Sequence, residues 1–247
     1  MLIAISAIGC ASKMKEKELT MDAHFYFNRG LVEMKKKDYP KAIGDFQTVV
    51  ESFSGSEIVD EALFNLAEAH FKNEDYLTAA YEFERVYVDY PSSDYAAQAQ
   101  YKKALSYFME SPKASLDQEN THLAIDEFNR FIENYPNNSL EADAQRKIEE
   151  LREKLAYKEY LAAQLYYKMK YWDAAIIYYR SVIKEYPRSA WVDDSELGIG
   201  LAYIKKKEYS GAAEVLKQLI AGEKTDSGVR KKASKLLSEI QKYGEKK

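Results

Sequence analysis

Histidine and cysteine are the side chains that most often ligate metals or attack substrates. This chain has three of the first and one of the second. His24, His70 and His122 lie far apart, with no His-Glu-x-x-His or similar spacing. They read as packing or surface residues. Cys10 is alone, which leaves no disulfide within the chain and no cysteine-based zinc site. The acidic pairs Glu149-Glu150 and Asp193-Asp194 fall on helix surfaces or near helix starts. Solvation and the helix dipole account for acids there better than acid–base catalysis does. No glycine-rich phosphate loop and no G-x-S-x-G nucleophile motif occur. The expectation is a protein that is not an enzyme, with neither metal nor cofactor. Its chemistry must be recognition, by amides, carboxylates and aromatic rings held on a scaffold.

That scaffold reads as helical. Ten glycines and five prolines in 247 residues leave few breaks, and charged residues reach 31%. Acids and bases are interspersed around a net charge of −4, so no nucleic-acid partner is expected. Lys35-Lys36-Lys37 and Lys205-Lys206-Lys207 read as solvated helix ends, where positive charge suits the macrodipole.

Tyr76 to Pro91 shows the unit from which the chain is built. Ala79, Phe83, Val86 and Tyr90 share one helix face, and Pro91 stops the helix. The same arrangement recurs at anchor alanines Ala42, Ala79, Ala124, Ala175 and Ala212. Four residues after each stand Phe46, Phe83, Phe128, Tyr179 and Leu216. Small residues precede four of the anchors by twelve: Gly30, Ala67, Ala163 and Gly200. Small residues there let two helices approach closely. Tyr39, Tyr76, Trp172 and Tyr209 plug the turn between them. This is the tetratricopeptide (TPR) pattern.

The anchors are spaced 37, 45, 51 and 37 residues apart, so two intervals are long. In the third repeat Ala104 serves as the small residue, and about eight residues are inserted around Met109–Asn120. Ser111-Pro112 should end one helix and Asp117 cap the next. After Pro136 about fourteen further residues keep a helical stripe through Leu140, Ala144, Ile148, Leu151 and Leu155. The prediction is an all-α, TPR-type α-solenoid of five helical hairpins. One elongated helix from Leu140 to about Lys170 links its halves, and a capping helix spans Val229–Tyr243. Repeats one to three occupy residues 22–139; the linking helix, repeats four and five and the cap occupy residues 140–247.

In TPR proteins the first helices of the hairpins line a groove. Family positions place Phe27, Asn28 and Leu31 there in the first repeat, Phe64, Asn65, Glu68 and Phe71 in the second, and Tyr101 with Lys102 in the third. An asparagine amide both donates to and accepts from an extended peptide backbone. These residues are the candidate peptide-binding set, with the rings as apolar pockets beside the amides.

Residues 1–9 form an apolar run that resembles the end of a secretory signal. Ala7-Ile8-Gly9-Cys10 is similar to a bacterial lipoprotein signal, in which the cysteine receives lipid and becomes the mature N-terminus. Residues 10–21 then read as a lipidated tether. Ala11 and Ser12, with no aspartate, imply the outer membrane.

Ser111-Pro112, Leu116-Asp117-Gln118, Thr121, Ala124, Phe128, Ile132 and Tyr135-Pro136, followed by Arg152, Leu155-Ala156 and Glu159, resemble the BamD family of TPR lipoproteins from the outer-membrane β-barrel assembly (BAM) machinery. The resemblance implies a non-enzymatic assembly factor on the periplasmic face of the outer membrane. It implies binding of a BamA-like subunit through the C-terminal repeats, and of the C-terminal signal segments of unfolded outer-membrane proteins through the N-terminal groove. Further BAM lipoproteins are admitted as partners. The alternative is a periplasmic TPR scaffold lipoprotein for cell-wall or division complexes. Leu116-Asp117-Gln118 is read as structural, holding the inserted loop.

Overall fold

Four of the five hairpins join their two helices by a turn that the sequence writes without glycine. Lys37, Glu74, Lys170 and Lys207 all adopt the left-handed backbone conformation, at φ between 61° and 65°. In each case the next residue's N–H reaches back to the fifth residue before it: Asp38 to Glu33 O, Asp75 to His70 O, Tyr171 to Tyr166 O and Glu208 to Tyr203 O, at 2.9–3.0 Å. Carbonyls that the helix end would leave unpaired are thereby satisfied. The residue that follows is the expected aromatic, and it opens the second helix.

The computed structural model describes residues 21–244, and within them eleven helices. They are α1 (Ala23–Lys36), α2 (Tyr39–Ser52), α3 (Val59–Lys72), α4 (Tyr76–Asp89), α5 (Ala96–Glu110), α6 (Glu119–Asn134), α7 (Glu141–Lys168), α8 (Trp172–Glu185), α9 (Val192–Lys206), α10 (Tyr209–Ala221) and α11 (Ser227–Gly244). No strand occurs among the described residues. The long linking helix is α7, 28 residues, and the cap is α11. The eight-residue insertion is the stretch 111–118 between α5 and α6.

The anchor residues are the core. Ala42, Ala79, Ala124, Ala175 and Ala212 are fully buried, as are Phe46, Phe83, Phe128 and Leu216. The small residue opposite is needed because the ring lies against it. A Cβ added to Gly30 would fall 2.7 Å from the Phe46 ring, and one on Gly200 would fall 2.9 Å from Leu216.

The chain forms two compact units. One comprises residues up to 111 together with 120–145; the other comprises residues 112–119 and 146 onward. In the first, α1 to α5 pack each on the next, and Tyr101 of α5 lies against Phe128 and Phe131 of α6. In the second, α8 to α11 do likewise. The insertion from Pro112 onward therefore belongs to the second unit. Its Gln118 side chain, 4% exposed, donates to Lys113 O and Leu116 O at 2.9 and 3.0 Å. Lys158 of α7 donates to Leu116 O at 2.8 Å, and Asp117 accepts from the N–H of Glu119 at 2.9 Å. Leu116-Asp117-Gln118 thus holds the loop in shape.

Candidate functional site

The candidate face in the first unit is built by α1, α3 and α5, the first helices of three hairpins. Asn28 is exposed on α1, and Leu31 one turn on is half-buried against the core. Asn65 holds the equivalent place on α3. It is half-buried, and its amide nitrogen donates to Glu61 O at 2.8 Å. Its amide plane is therefore fixed before any partner arrives, with the carbonyl oxygen left to accept.

One turn further along α3, Glu68 pairs with Lys102 of α5 at 2.7 Å, both side chains less than a fifth exposed. The Lys102 ammonium also lies 5.2 Å above the Phe71 ring, a favourable cation–π position. Phe71 meets Tyr76 edge-on at 5.2 Å. Glu68, Phe71 and Lys102 thus form one interlocked group that joins two hairpins. At the start of α3, Glu61 and the surrounding burial push the phenol of Tyr95 up; burial is the larger cause. A peptide crossing this face would meet one preset amide, one exposed amide, an ion pair and an aromatic ring, but no nucleophile or paired acid and base.

Phe27, Phe64 and Tyr101 are placed differently from the expectation. Each is only 6–7% exposed. Phe27 packs on Phe46; Phe64 meets Phe83 and stacks on Tyr95 at 4.8 Å; Tyr101 meets Phe131 and donates its hydroxyl to Asp143. These rings belong to the core rather than to pockets open to a peptide. They share a helix face with the anchors, and the family position alone does not separate rings that line a groove from rings that close the core. A buried charge cluster that the repeat pattern does not signal lies on the other side of α5, where Lys103 is enclosed by Glu84, Tyr87 and Glu127.

In the second unit a cleft of about 830 Å³ opens between the 187–190 loop and the 222–225 loop, with Asp193 and Glu196 of α9 among its lining residues. Burial, with Asp193 nearby, pushes the Glu196 carboxyl up. No group of three or more potential metal-ligating side chains occurs among the described residues. No described helix is long and apolar enough to cross a membrane.

A family profile described as outer membrane lipoprotein, YfiO, matches residues 20–195. The chain belongs to that family. A second profile, a tetratricopeptide repeat, matches residues 194–221 of this YfiO-family lipoprotein and covers most of α9 and α10. Three relatives named outer membrane protein assembly factor BamD are similar to it. The one from Rickettsia prowazekii is 29% identical over 186 residues, 75% of this chain and 74% of that protein. The one from Caulobacter vibrioides is 26% identical over 206 residues, covering 82% and 68%. The one from Haemophilus influenzae is 25% identical over 198 residues, covering 75% of each. Among solved structures, the TPR2AB domain of yeast Sti1 in complex with pHSP90 is 14% identical, with a TM-score of 0.45, over 90% of this chain and 86% of that one. Cys10 of the YfiO-family chain, the expected lipid site, lies outside the described residues.

Proposed function

We propose that this protein is a non-enzymatic lipoprotein of the outer-membrane β-barrel assembly machinery, held at the periplasmic face by lipid on Cys10. Its C-terminal repeats bind a BamA-like subunit, and its N-terminal face holds the C-terminal signal segment of unfolded outer-membrane proteins. The observation that carries this reading is family membership across residues 20–195, together with relatives named as assembly factors over most of their length. The cleft lined by Arg188, Asp193, Glu196 and Lys224 gives the second unit a charged surface suited to a folded partner. Asn28, Leu31, Asn65, Glu68 and Phe71 give the first unit the mixture of amide and aromatic groups that suits an extended chain.

The test uses the full chain with a BamA-like periplasmic fragment from the same organism. The fragment should co-purify with it, and repeated failure with well-folded partners would sink the proposal. The peptide face has its own test. Asn28→Ala with Asn65→Ala should weaken binding of a barrel-protein C-terminal peptide by about tenfold, since each lost hydrogen bond is worth about 0.5–1.5 kcal/mol. Circular dichroism should not change. Unaltered affinity would show that the two amides only cover the helices. For the anchor, Cys10→Ser should move the protein from the membrane fraction to the soluble one; continued attachment would place the anchor elsewhere.

A further inference from the structure

The last helix, α11, has two faces of different chemistry. Val229, Ala233 and Ile240 are buried, and Leu236 and Leu237 half-buried, in a cluster with Leu197 of α9 and Leu216 and Leu219 of α10. On the other face stand Lys231, Lys235 and Lys242. Their spacing of four and then seven residues keeps them within about 40° of one another around the axis. Lys232 lies beside them, and all four are exposed. Glu239 is the one acid in the helix, against five bases. Arg230 is the base turned inward, where it donates to Gly222 O at 2.6 Å.

Two facts set this face apart. None of the four exposed ammonium groups has an ion-pair or hydrogen-bond partner among the described residues. Elsewhere Lys36 pairs with Glu33, Lys41 with Asp38, Lys102 with Glu68 and Lys206 with Asp173, while Lys35, Lys37, Lys205 and Lys207 are exposed at helix ends; what distinguishes α11 is four such lysines along one helix. Second, the charge is segregated along the chain. Residues 224–247 hold eight bases and three acids, a net of +5, which leaves the other 223 residues at −9. The end of a helical stack needs a polar outer face to stay in solution. Mixed charges in equal number meet that need; four lysines against the single exposed carboxylate of Glu239, one turn from Lys235, do more in an acidic protein, because they leave net positive potential on one surface.

We propose that this lysine face docks on an anionic phospholipid surface. Charge complementarity selects the partner, and membership in an outer membrane lipoprotein family makes a lipid surface the one always close by. The apolar side of α11 is committed to the core, so the contact is electrostatic and rests on the headgroups. Each lysine near such a surface is worth about 1 kcal/mol, and salt screens the attraction. Together with a lipid anchor this is a second, reversible membrane signal.

The experiment sediments the full chain with vesicles of phosphatidylcholine mixed with phosphatidylglycerol, and with vesicles of phosphatidylcholine alone. Binding to the anionic vesicles should be at least about tenfold stronger and should fall as salt rises. It should be lost in Lys231→Glu/Lys235→Glu/Lys242→Glu, with the helical signal intact. Lys231→Gln/Lys235→Gln/Lys242→Gln serves if the charge reversal harms folding, and should weaken binding at least about tenfold. Equal binding to both vesicle types overturns the proposal, as does undiminished binding by the folded variants. Capture of an acidic protein through these lysines, with no preference for anionic vesicles, overturns it too. None of these outcomes depends on binding of a BamA-like subunit, so the two readings fail separately.

Discussion

Lys103→Met will destabilise the first unit by about 3 kcal/mol or more, as expected when one partner of a buried ion pair is removed. The Lys103 side chain is 6% exposed, with its ammonium 2.8 Å from Glu84 Oε1, 3.1 Å from Glu127 Oε1 and 3.4 Å from the Tyr87 hydroxyl. Burial acts to push its pKa down, but hydrogen bonding to Glu84 and the charge of Glu127 outweigh burial and leave it raised. Glu84 is nearly half exposed and can return to water, whereas Glu127 is only 6% exposed and cannot. Arg130, 3.0 Å from Glu127, compensates part of the loss, which places the effect at the lower end of the usual range of about 3–5 kcal/mol. Urea unfolding at neutral pH measures it; a loss below about 1 kcal/mol would show that Glu127 is not left stranded. Lys103→Met with Glu127→Leu should recover most of the stability, because the stranded charge leaves with its partner. The pH dependence follows from the raised value. The lysine's contribution is complete below the ordinary lysine pKa of about 10.4, and it fades as pH climbs through the higher folded value. The wild type should therefore lose stability at strongly alkaline pH, and Lys103→Met should lose less.

The second large effect is a reversal of sign between two identical substitutions. Gly198→Ala in α9 should destabilise by about 1–2 kcal/mol, and Gly44→Ala in α2 should stabilise by about 0.5–1 kcal/mol. A Cβ on Gly198 would lie 2.5–2.8 Å from three atoms of the Tyr179 ring. That ring is 4% exposed and backed by Tyr160 at 5.8 Å, so it has little room to yield. Overpacking of this kind costs about 1–3 kcal/mol, set against about 1 kcal/mol gained in helix propensity. At Gly44 nothing lies within 4 Å of the added carbon, and only the propensity gain remains. Thermal unfolding of the two variants checks the pair. A rise in Tm for Gly198→Ala would show that Tyr179 moves aside freely.

Gly198 also marks where the sequence could be read and where it could not. Gly30 and Gly200 are legible because they stand at a fixed distance from an anchor alanine, and both have the expected close approach. Gly198 is two positions out of that register, so only the packed ring reveals its role. The helices, the insertion and the long α7 were legible because apolar spacing and proline position are local signals. The candidate face was legible in part. The positions of Asn28 and Asn65 follow from the repeat, but the 2.8 Å bond from Asn65 to Glu61 and the Glu68–Lys102–Phe71 group depend on rotamers and on a neighbouring hairpin. Phe27, Phe64 and Tyr101 show the same boundary: periodicity places them on a face without saying how deep in it they lie. Lys103 is the hardest case. By composition it is one more helix lysine, and only its burial between α4 and α6 makes it structural.

The ownership of the inserted stretch bears on how the protein is made. Within each unit, helices pack mainly on their neighbours in the chain, so folding can follow the order of synthesis hairpin by hairpin. Residues 112–119 break that order. They emerge between α5 and α6 but belong with residues from 146 onward, and the lysine that bonds Leu116 O is Lys158. Until the chain some forty residues further on has folded, Ala114 and Gln118 have no finished site to enter. A chain truncated before α7 will carry an open loop that proteases can reach, and sensitivity to cleavage there will be absent once α7 is present.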